Sequence, residues 1–410
     1  MKRILALFFC GLICLSAAGC GKEEPFPSVA TEPSVTQEPS TEPPETEPTE
    51  PPTEPDPDAP YRARAEEILS GMTTEEKVYQ LFMVTPEALT GVNTATRAGE
   101  ATQQALSEMP VGGIVYFADN LETGEQTTQM IAATQSYSRL PLLIGVDEEG
   151  GRVARVSTKL GTTAFDPMAD YGAAGDAEAV RQVGATIARD ISQFGFNVDF
   201  APVADVVTNP NNTEIGDRSF SSDADVASTM VAAMVQGLQS GGVQSCLKHF
   251  PGHGSTEADS HKGASVTGRT LDELRGTELK PFAAGIAAGA GMVMISHMSA
   301  PNVTGSDAPC DLSSAVVTDL LRGELGFTGV VITDSHEMGA ITDSYSPAEA
   351  AVLAIQAGTG RNLMNETYEV LVGIAEAHAS TDATLEETCR TRHTEGDHAL
   401  ILVPDVHHAV

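Results

Sequence analysis

Six side chains that carry charge or exchange protons lie within fourteen residues, in the segment KHFPGHGSTEADSH from Lys248 to His261. They are one lysine, three histidines and two acids, a density that core packing does not require. The apolar run 242–247 before them predicts a short buried strand, and the Pro-Gly-His-Gly sequence predicts a loop. Polar groups placed where a strand opens into a loop are positioned to meet a ligand.

Within this loop, Asp259 and His261 are separated by one residue, so the carboxylate can accept a hydrogen bond from one imidazole nitrogen. The other nitrogen then exchanges protons, and a histidine held in this way suits general acid and base catalysis near neutral pH. Two other interpretations stay open. His249, His253 and His261 could bind a metal ion, or the loop could be structural, with solvated histidines. In the acid and base interpretation, His253 only shapes the loop.

A candidate nucleophile follows the apolar, β-branched run Gly329–Thr333, which predicts a buried parallel strand. Asp334 ends this run, and an acid in that place is poorly explained as a core residue. The alternative is that Asp334 caps the next helix, because aspartate is favoured at that position. The choice depends on what lies at the ends of the other strands.

After about Pro60, strand-like and helix-like runs alternate, which predicts an α/β fold, a (β/α)8 TIM barrel in a single domain over residues 61–388. Alanine-rich segments with helical periodicity, Ala173–Gly195 and Asp223–Gly241, predict two of its helices. The eight predicted strands are Gln80–Thr85, Val111–Phe117, Pro141–Asp147, Asn197–Asp205, Gly242–His249, Gly291–His297, Gly329–Asp334 and Asn362–Met364.

Ionisable residues end five of these strands in succession. In a parallel barrel the carboxyl ends of the strands surround one mouth, which is where active sites form. A strand end is often polar for no functional reason, but five in succession indicate a functional site. The residues are Asp147 and Glu148, Asp205, Lys248 and His249, His297, and Asp334.

The N-terminal part of the chain does not resemble a folded domain. Residues 1–20 have a basic start, an apolar stretch and small residues before Cys20, which predicts a secretory signal too short to be a permanent membrane span. Its end resembles a bacterial lipobox, so we expect Cys20 to be lipidated and to anchor the protein outside the cytoplasm. An ordinary cleaved signal peptide is the alternative.

Residues 21–60 hold twelve of the 24 prolines, mixed with Glu, Thr and Ser, and predict a disordered linker.

Charge and cysteine content exclude some functions. The formal net charge of -34 makes a nucleic-acid partner unlikely. Of the six cysteines, three lie in the predicted signal and anchor. Cys246, Cys310 and Cys389 remain, and their odd number and unrelated spacing do not form a disulfide framework. Cys246, on the strand before the histidine-rich loop, is predicted to be a small buried hydrophobic residue.

Four motifs, each at a predicted strand end and in the same order, resemble the β-N-acetylhexosaminidases of glycoside hydrolase family 3. The resemblance covers roughly residues 65–364 and implies a hydrolase that needs no cofactor and no metal ion. The motifs are GVDEEGGRVARV (145–156), FAPVADVVTNPNNTEIGDRSF (200–220), KHFPGHGSTEADSH (248–261) and VVITDSHEMGAI (330–341).

The resemblance implies a role for each matching residue. Asp334 would be the nucleophile, and His261 would be the acid and base, supported by Asp259. This agrees with the chemistry of a retaining glycosidase, which needs a nucleophile and a proton donor on opposite sides of the anomeric carbon. The residues implied to hold the sugar hydroxyls and the N-acetyl group are Asp147, Arg218, Lys248 and His249. A structural salt bridge is the alternative for Arg218.

Family and location together predict the substrate class: peptidoglycan fragments, or muropeptides, with terminal β-linked N-acetylglucosamine. Related family members lead to three alternatives. These are a β-glucosidase, a phosphorylase that uses phosphate in place of water, and a sugar-binding lipoprotein without catalysis. A β-glucosidase of this family typically carries its acid and base glutamate in a second domain, for which this chain has no room.

The sequence departs from the family in three places that matter. His336, two residues after Asp334, is an unusual choice, and we expect a solvated loop residue or a substrate contact. The segment Ala357–Arg361 lacks the aspartate of the usual Ala-Gly-x-Asp strand. Residues 389–410 show no helical periodicity, so we expect an atypical C-terminal tail that arises from a frameshift or a truncation.

Overall fold

The structure is a computed structural model of the chain and describes residues 59–256 and 263–364. Ten strands lie in these ranges: β1 Phe82–Val84, β2 Gly113–Val115, β3 Leu143–Val146, β4 Glu148–Gly150, β5 Val153–Ala154, β6 Val198–Asp199, β7 Gln244–Phe250, β8 Met292–Ile295, β9 Val330–Ser335 and β10 Arg361–Met364. Eight of them form a closed parallel barrel in the order β1-β2-β3-β6-β7-β8-β9-β10, with β10 paired to β1. Strands β4 and β5 form a separate antiparallel hairpin. The fold is therefore of the TIM-barrel-like α/β type.

Each of the eight predicted barrel strands is present, and most are shorter than the apolar run that predicted them. The largest difference concerns the predicted strand Asn197–Asp205, of which only Val198–Asp199 is regular strand. Pro202 has no N–H to donate to a neighbouring strand, so it interrupts the ladder. Pairing resumes for one residue, at a parallel bridge between Val203 and Lys248. Asp205 thus follows an irregular segment rather than a strand.

Helices fill the intervals between the barrel strands, as the alternation predicted. Both predicted alanine-rich helices are present as α8 and α9, and Asp176 and Asp223 cap their N-termini through side-chain hydrogen bonds. The α-helices are α1 Ala59–Ser70, α2 Thr74–Tyr79, α3 Pro86–Thr90, α4 Glu100–Glu108, α5 Gly124–Tyr137, α6 Arg155–Leu160, α7 Met168–Ala174, α8 Ala177–Ser192, α9 Ala224–Ser240, α10 Leu271–Gly276, α11 Leu279–Ala287, α12 Pro301–Thr304, α13 Gly339–Thr342 and α14 Pro347–Ala357. Ala315–Glu324 forms a π-helix, and short 3-10 helices are Ala118–Asn120, Gly216–Arg218, His253–Ser255 and Cys310–Leu312.

Alternation along the strands divides the core into two parts. One face of the strands contributes to a small cluster that fills the barrel, formed by Met83, Val115, Val198, Phe200, Cys246, Met292, Met294 and Ile332. The other face packs against the helices in a larger cluster, which includes Phe82, Ile114, Ile144, Val293 and Val331. A barrel filled by side chains is closed in the middle, so only its ends can accept a ligand.

Several predictions from sequence fall wholly or partly outside the described residues. They are the signal peptide, Cys20, the linker up to residue 58, Asp259, His261, Cys389 and the tail 389–410. Cys246 and Cys310 are buried free thiols, which confirms the interpretation of Cys246 as a small buried residue. A search of residues 59–256 and 263–364 finds no helix with the length and apolar character needed to cross a bilayer.

Helices α8 and α9 pack closely through two glycines. A Cβ atom on Gly184 would lie 2.7 Å from the carbonyl oxygen of Met234. A Cβ atom on Gly237 would overlap the carbonyl oxygen of Arg181. Both obstacles are backbone atoms, which cannot rotate away as a flexible side chain would. These two helices can therefore lie this close because Gly184 and Gly237 carry no side chain.

We expect Gly237→Ala to lower the free energy of unfolding by about 1 to 3 kcal/mol, because overpacking at this contact exceeds the helix propensity that alanine adds. Gly276→Ala is the matched control, since Gly276 ends α10 and a Cβ atom there meets nothing within 4 Å. Urea unfolding of both variants measures the difference. Equal stability of the two variants would contradict the close-packing explanation.

Candidate active site

The polar residues predicted at the strand ends meet at one end of the barrel. Asp147 directly follows β3, Lys248 and His249 belong to β7, and Asp334 belongs to β9. The Nζ atom of Lys248 lies 2.7 Å from Oδ1 of Asp147, although the two residues are far apart in sequence. This contact confirms that the strand ends form a common mouth, as the parallel barrel predicted.

Glu149, which the sequence analysis did not select, connects the cationic residues of this mouth. Its Oε1 lies 2.6 Å from Nζ of Lys248, and its two oxygens accept bonds of 2.8 Å from Nε and Nη2 of Arg218. Burial alone would raise the pKa of Glu149, but Lys248 and Arg218 outweigh it and hold that pKa well below its usual range. Glu149 lies two residues after Asp147, a spacing that places both side chains on one side of an extended segment.

One of the two roles predicted for Arg218 is present in the structure, and the other, contact with substrate, stays a prediction. The salt bridge left open as an alternative exists, since Arg218 and Glu149 form a buried bidentate pair. Burial lowers the pKa of Lys248, but Asp147 and Glu149 outweigh that and raise it above its ordinary value. Arg218 and Lys248 therefore both carry full positive charge at the mouth. Asp147 is the more accessible acid of the network, with 16% of its side chain exposed against 2% for Glu149.

A buried aspartate fixes His249. Asp205 accepts hydrogen bonds from the backbone N–H of His249, at 3.2 Å, and of His253, at 2.6 Å, and its Oδ2 lies 2.7 Å from Nδ1 of His249. Burial raises the pKa of Asp205, but His249 outweighs it, so the pKa falls below its ordinary value and the carboxylate stays ionised. With Nδ1 beside that carboxylate, the His249 ring is held in one orientation.

Two other predicted residues have supporting roles. Glu148 ends no strand at the mouth; its carboxylate accepts hydrogen bonds from the backbone N–H groups of Val156, at 2.6 Å, and Ser157, at 2.9 Å, at the start of α6. His253 is buried, and its Nδ1 lies 2.9 Å from Oγ1 of Thr256. These contacts confirm His253 as a loop-shaping residue.

Asp334 is half-buried near the end of β9, and its Oδ1 accepts a hydrogen bond of 2.8 Å from the N–H of Ser335. The next helix, α13, begins after Met338, so the alternative that Asp334 caps a helix is wrong. Burial would raise the pKa of Asp334, but His297, His249 and Lys248 outweigh it and hold the pKa below its ordinary value. An ionised carboxylate in this place can act as a nucleophile.

Behind Asp334 lies a cluster that sequence reasoning missed, made of His297, Asp311 and His336. Nδ1 of His297 is 3.2 Å from one oxygen of Asp311, and Nε2 of His336 is 3.1 Å from the other. The expectation that His336 is a solvated loop residue or a substrate contact is wrong, because its side chain is fully buried against Asp311. The signal in the sequence that could have indicated a role for His336 was its position two residues after Asp334. No such signal marks Asp311.

The proposed acid and base pair, Asp259 and His261, lies outside the described residues, so its geometry stays a prediction. The three-histidine metal site also includes His261 and is therefore not tested as a whole. Within residues 59–256 and 263–364, no group of three or more His, Cys, Asp or Glu side chains is arranged to hold a metal ion. The described part of the mouth supplies an ionised carboxylate, that of Asp334, and charged hydrogen-bonding groups.

The family can now be identified. The model of the glycosyl hydrolase family 3 N-terminal domain matches residues 73–391. The chain belongs to glycosyl hydrolase family 3. It is 37% identical over 280 residues to beta-hexosaminidase A of Pseudoalteromonas piscicida, a match that covers 64% of this chain and 47% of that protein. It is also 37% identical over 307 residues to the beta-hexosaminidase LpqI of Mycobacterium tuberculosis, a match that covers 73% of this chain and 75% of that protein.

A solved structure supports the same assignment. The family 3 β-N-acetylglucosaminidase of Paenibacillus sp. FPU-7 superimposes with a TM-score of 0.72 and 35% sequence identity, covering 79% of this chain and 62% of that one. The chain therefore spans about half of the first relative named above and less than two thirds of the superimposed structure. The resemblance to family 3 β-N-acetylhexosaminidases that four motifs predicted is confirmed.

We expect Glu149→Gln to lower the free energy of unfolding by about 3 to 5 kcal/mol at pH 7, because Lys248 and Arg218 lose the buried charge that neutralises them. Glu148→Gln is the matched control, since Glu148 contacts backbone amides and no cation in that network. Guanidinium unfolding at pH 7 and at low pH measures both. The lowered pKa of Glu149 means that its contribution is present above the ordinary glutamate pKa and is lost as the pH falls through the folded-state value. A loss that is equal in the two variants would contradict this account.

Proposed function

We propose that the protein is a retaining exo-β-N-acetylglucosaminidase, a β-N-acetylhexosaminidase that removes terminal β-linked N-acetylglucosamine. The observation that carries the proposal is the ionised carboxylate of Asp334 at the barrel mouth, kept ionised by His297, His249 and Lys248. A retaining glycosidase needs such a nucleophile on one face of the sugar ring. The names of the family relatives support the same reaction.

The proposed reaction has two steps. First, a carboxylate oxygen of Asp334 attacks the anomeric carbon, the bond from that carbon to the aglycone oxygen breaks, and His261 donates a proton to the departing oxygen. A covalent glycosyl-aspartate results. Second, His261 removes a proton from water, the water oxygen attacks the same carbon, and Asp334 leaves as a carboxylate. Asp259 orients His261, and both inversions together retain the β configuration.

Charged side chains beside Asp334 suit the binding of an uncharged sugar. Asp147 can accept hydrogen bonds from hydroxyl groups, and its partner Lys248 can donate to them. Arg218 offers further N–H donors for hydroxyl or N-acetyl oxygens, held in place by Glu149. His249, with Nδ1 beside Asp205, presents Nε2 of a ring held in one orientation. These residues bind substrate in the proposal.

Peptidoglycan fragments are the proposed substrate class, because an enzyme outside the cytoplasm meets this polymer of N-acetylated amino sugars. No cofactor takes part in the proposed reaction, and nucleic acid is not a partner. The relatives named for β-hexosaminidase and β-N-acetylglucosaminidase activity support the N-acetylglucosamine end group. Assays with glycans of different length must determine how long a substrate beyond this end group is accepted.

The test of the nucleophile is turnover of a chromogenic N-acetyl-β-glucosaminide by the full chain and by Asp334→Ala. We expect the substitution to abolish measurable turnover and formation of the glycosyl-enzyme, because no carboxylate remains to attack. His261→Ala is expected to slow turnover while the nucleophile stays in place. Asp319→Ala, which removes an exposed acid on the outer π-helix, is the matched control and should retain the wild-type rate.

The products separate the remaining alternatives. Release of β-configured N-acetylglucosamine, observed by NMR before mutarotation, supports the retaining hydrolase. Sugar 1-phosphate that forms only in phosphate buffer would establish a phosphorylase, and preference for a glucoside would establish a β-glucosidase. Substrate binding without turnover, unchanged in Asp334→Ala, would establish a sugar-binding lipoprotein and contradict the proposal.

We also propose that lipid attached to Cys20 holds the catalytic domain outside the cytoplasm, at the end of the proline-rich linker. Cys20→Ser should move the protein from the membrane fraction to the soluble extracytoplasmic fraction, because the thiol that takes the lipid is gone. Immunoblots of both fractions, in cells that express either form, measure this. A serine variant that stays in the membrane fraction would contradict lipid anchoring, and Cys246→Ser is the control.

A further inference from the structure

The His–Asp–His cluster of His297, Asp311 and His336 joins three separate elements behind Asp334. His297 follows β8, Asp311 lies in the 3-10 helix Cys310–Leu312, and His336 follows β9. Their exposed fractions are 1%, 0% and 0%. A charged group so buried requires partners, so the protonation state of each member is set by what it contacts.

Both ring nitrogens of His297 face acceptors. Nε2 lies 2.8 Å from the backbone oxygen of Ser335, and a carbonyl oxygen can only accept, so Nε2 carries a proton. Nδ1 lies 3.2 Å from Oδ1 of Asp311, at ion-pair distance although outside straight hydrogen-bond geometry. A donating Nε2 and an Nδ1 beside a carboxylate oxygen fit an imidazolium ring. Burial lowers the pKa of His297, but Asp311 outweighs that and raises it to about 9.

His336 plays a different part in the same cluster. Its Nε2 donates to Oδ2 of Asp311 at 3.1 Å, while its buried Nδ1 has no hydrogen-bond partner in the described structure. One donor and one unpaired nitrogen fit a neutral ring, and burial lowers the pKa of His336 despite Asp311. Asp311 itself stays ionised: burial raises its pKa, but His297 and His336 outweigh it and lower it to about 2.

The cluster connects to Asp334 through the backbone of Ser335. The carbonyl of Ser335 accepts the bond from His297, and the N–H of Ser335 donates to Oδ1 of Asp334 at 2.8 Å. His336, the next residue, is held by Asp311. The short segment from Asp334 to His336 is thus fixed on both sides by one carboxylate, that of Asp311.

We propose that Asp311 is a positioning residue for the nucleophile: it holds His297 as an imidazolium against the Ser335 carbonyl and so keeps Asp334 oriented and ionised. His336 serves as a neutral donor that fixes the second oxygen of Asp311. The proposal rests on the role of Asp334 given under the proposed function. It assigns work to two residues, Asp311 and His336, that make no substrate contact in that proposal.

Other charges also act on Asp334, and the test must hold them constant. His249 and Lys248 approach from β7, and His297 approaches from the end of β8. His253 also interacts with Asp334 from its 3-10 helix. A change confined to Asp311 leaves these groups in place, so a difference between variant and wild type reports the cluster.

The activity test compares the pH profile of kcat/KM for the full chain with Asp311→Asn. Asparagine keeps the shape but removes the charge, so His297 loses its proton near neutral pH and no longer favours an ionised Asp334. We expect the acidic limb to move upward by about one pH unit, with KM nearly unchanged. His336→Gln keeps a side-chain N–H donor for Asp311 and should retain the wild-type limb. A loss of activity that is uniform across pH in Asp311→Asn would indicate a merely structural role and overturn the proposal.

A second measurement does not depend on catalysis. In protein with ¹⁵N-labelled histidine, we expect the His297 ring at pH 7.5 to show the nitrogen shifts of an imidazolium and the His336 ring those of a neutral Nε2–H tautomer. Substitution of each histidine assigns its signals. If the wild type turned over no substrate, the proposed function would fail, while the NMR result would still decide the state of the cluster. A neutral His297 in the wild type would overturn the inference, even in an active enzyme.

Discussion

Lys248 and Arg218 carry their charges inside the barrel mouth because both pair with the buried carboxylate of Glu149, and Lys248 also pairs with Asp147. Glu149 is 2.6 Å from Lys248 and makes two bonds of 2.8 Å to Arg218. Charges removed from water are costly unless they are paired and hydrogen-bonded. The three residues come from β4, β7 and a 3-10 helix. Their ion pairs link these elements into one wall of the mouth, where Asp147, with 16% of its side chain exposed, contacts Lys248.

Another wall of the mouth follows the same rule with a second set of residues. Asp311 neutralises His297 and fixes His336, and all three are buried. Between the two walls, Asp334 experiences positive charge from both Lys248 and His297. The chain as a whole has a net charge of -34. The site therefore concentrates positive charge locally around Asp334, which an acidic surface alone would not provide.

Local sequence patterns predicted much of the fold. Continuous β-branched apolar runs such as Gly329–Thr333 and alanine-rich segments such as α9 carry their signal within a few residues, so these elements could be predicted. Their ends were less accurate: Pro202 interrupts a strand that composition alone extends to Asp205. The π-helix Ala315–Glu324 and the hairpin of β4 and β5 were not predicted, because their sequences resemble ordinary helix and loop.

The sequence by itself determined the family and the ionisable residues at the strand ends. Each of the four motifs lies at the end of a predicted strand, and both the motif and the strand can be recognised from a short stretch of sequence. Only the tertiary structure decided the partners. Arg218 meets Glu149 across 69 residues, and His336 meets Asp311 across 25 residues. Such pairs form where the barrel brings distant segments together, and nothing in either segment alone specifies the other. The sequence therefore indicates Arg218 but not its partner Glu149. It predicts His336 as a solvated loop residue or a substrate contact, because Asp311 lies beside it only in the fold.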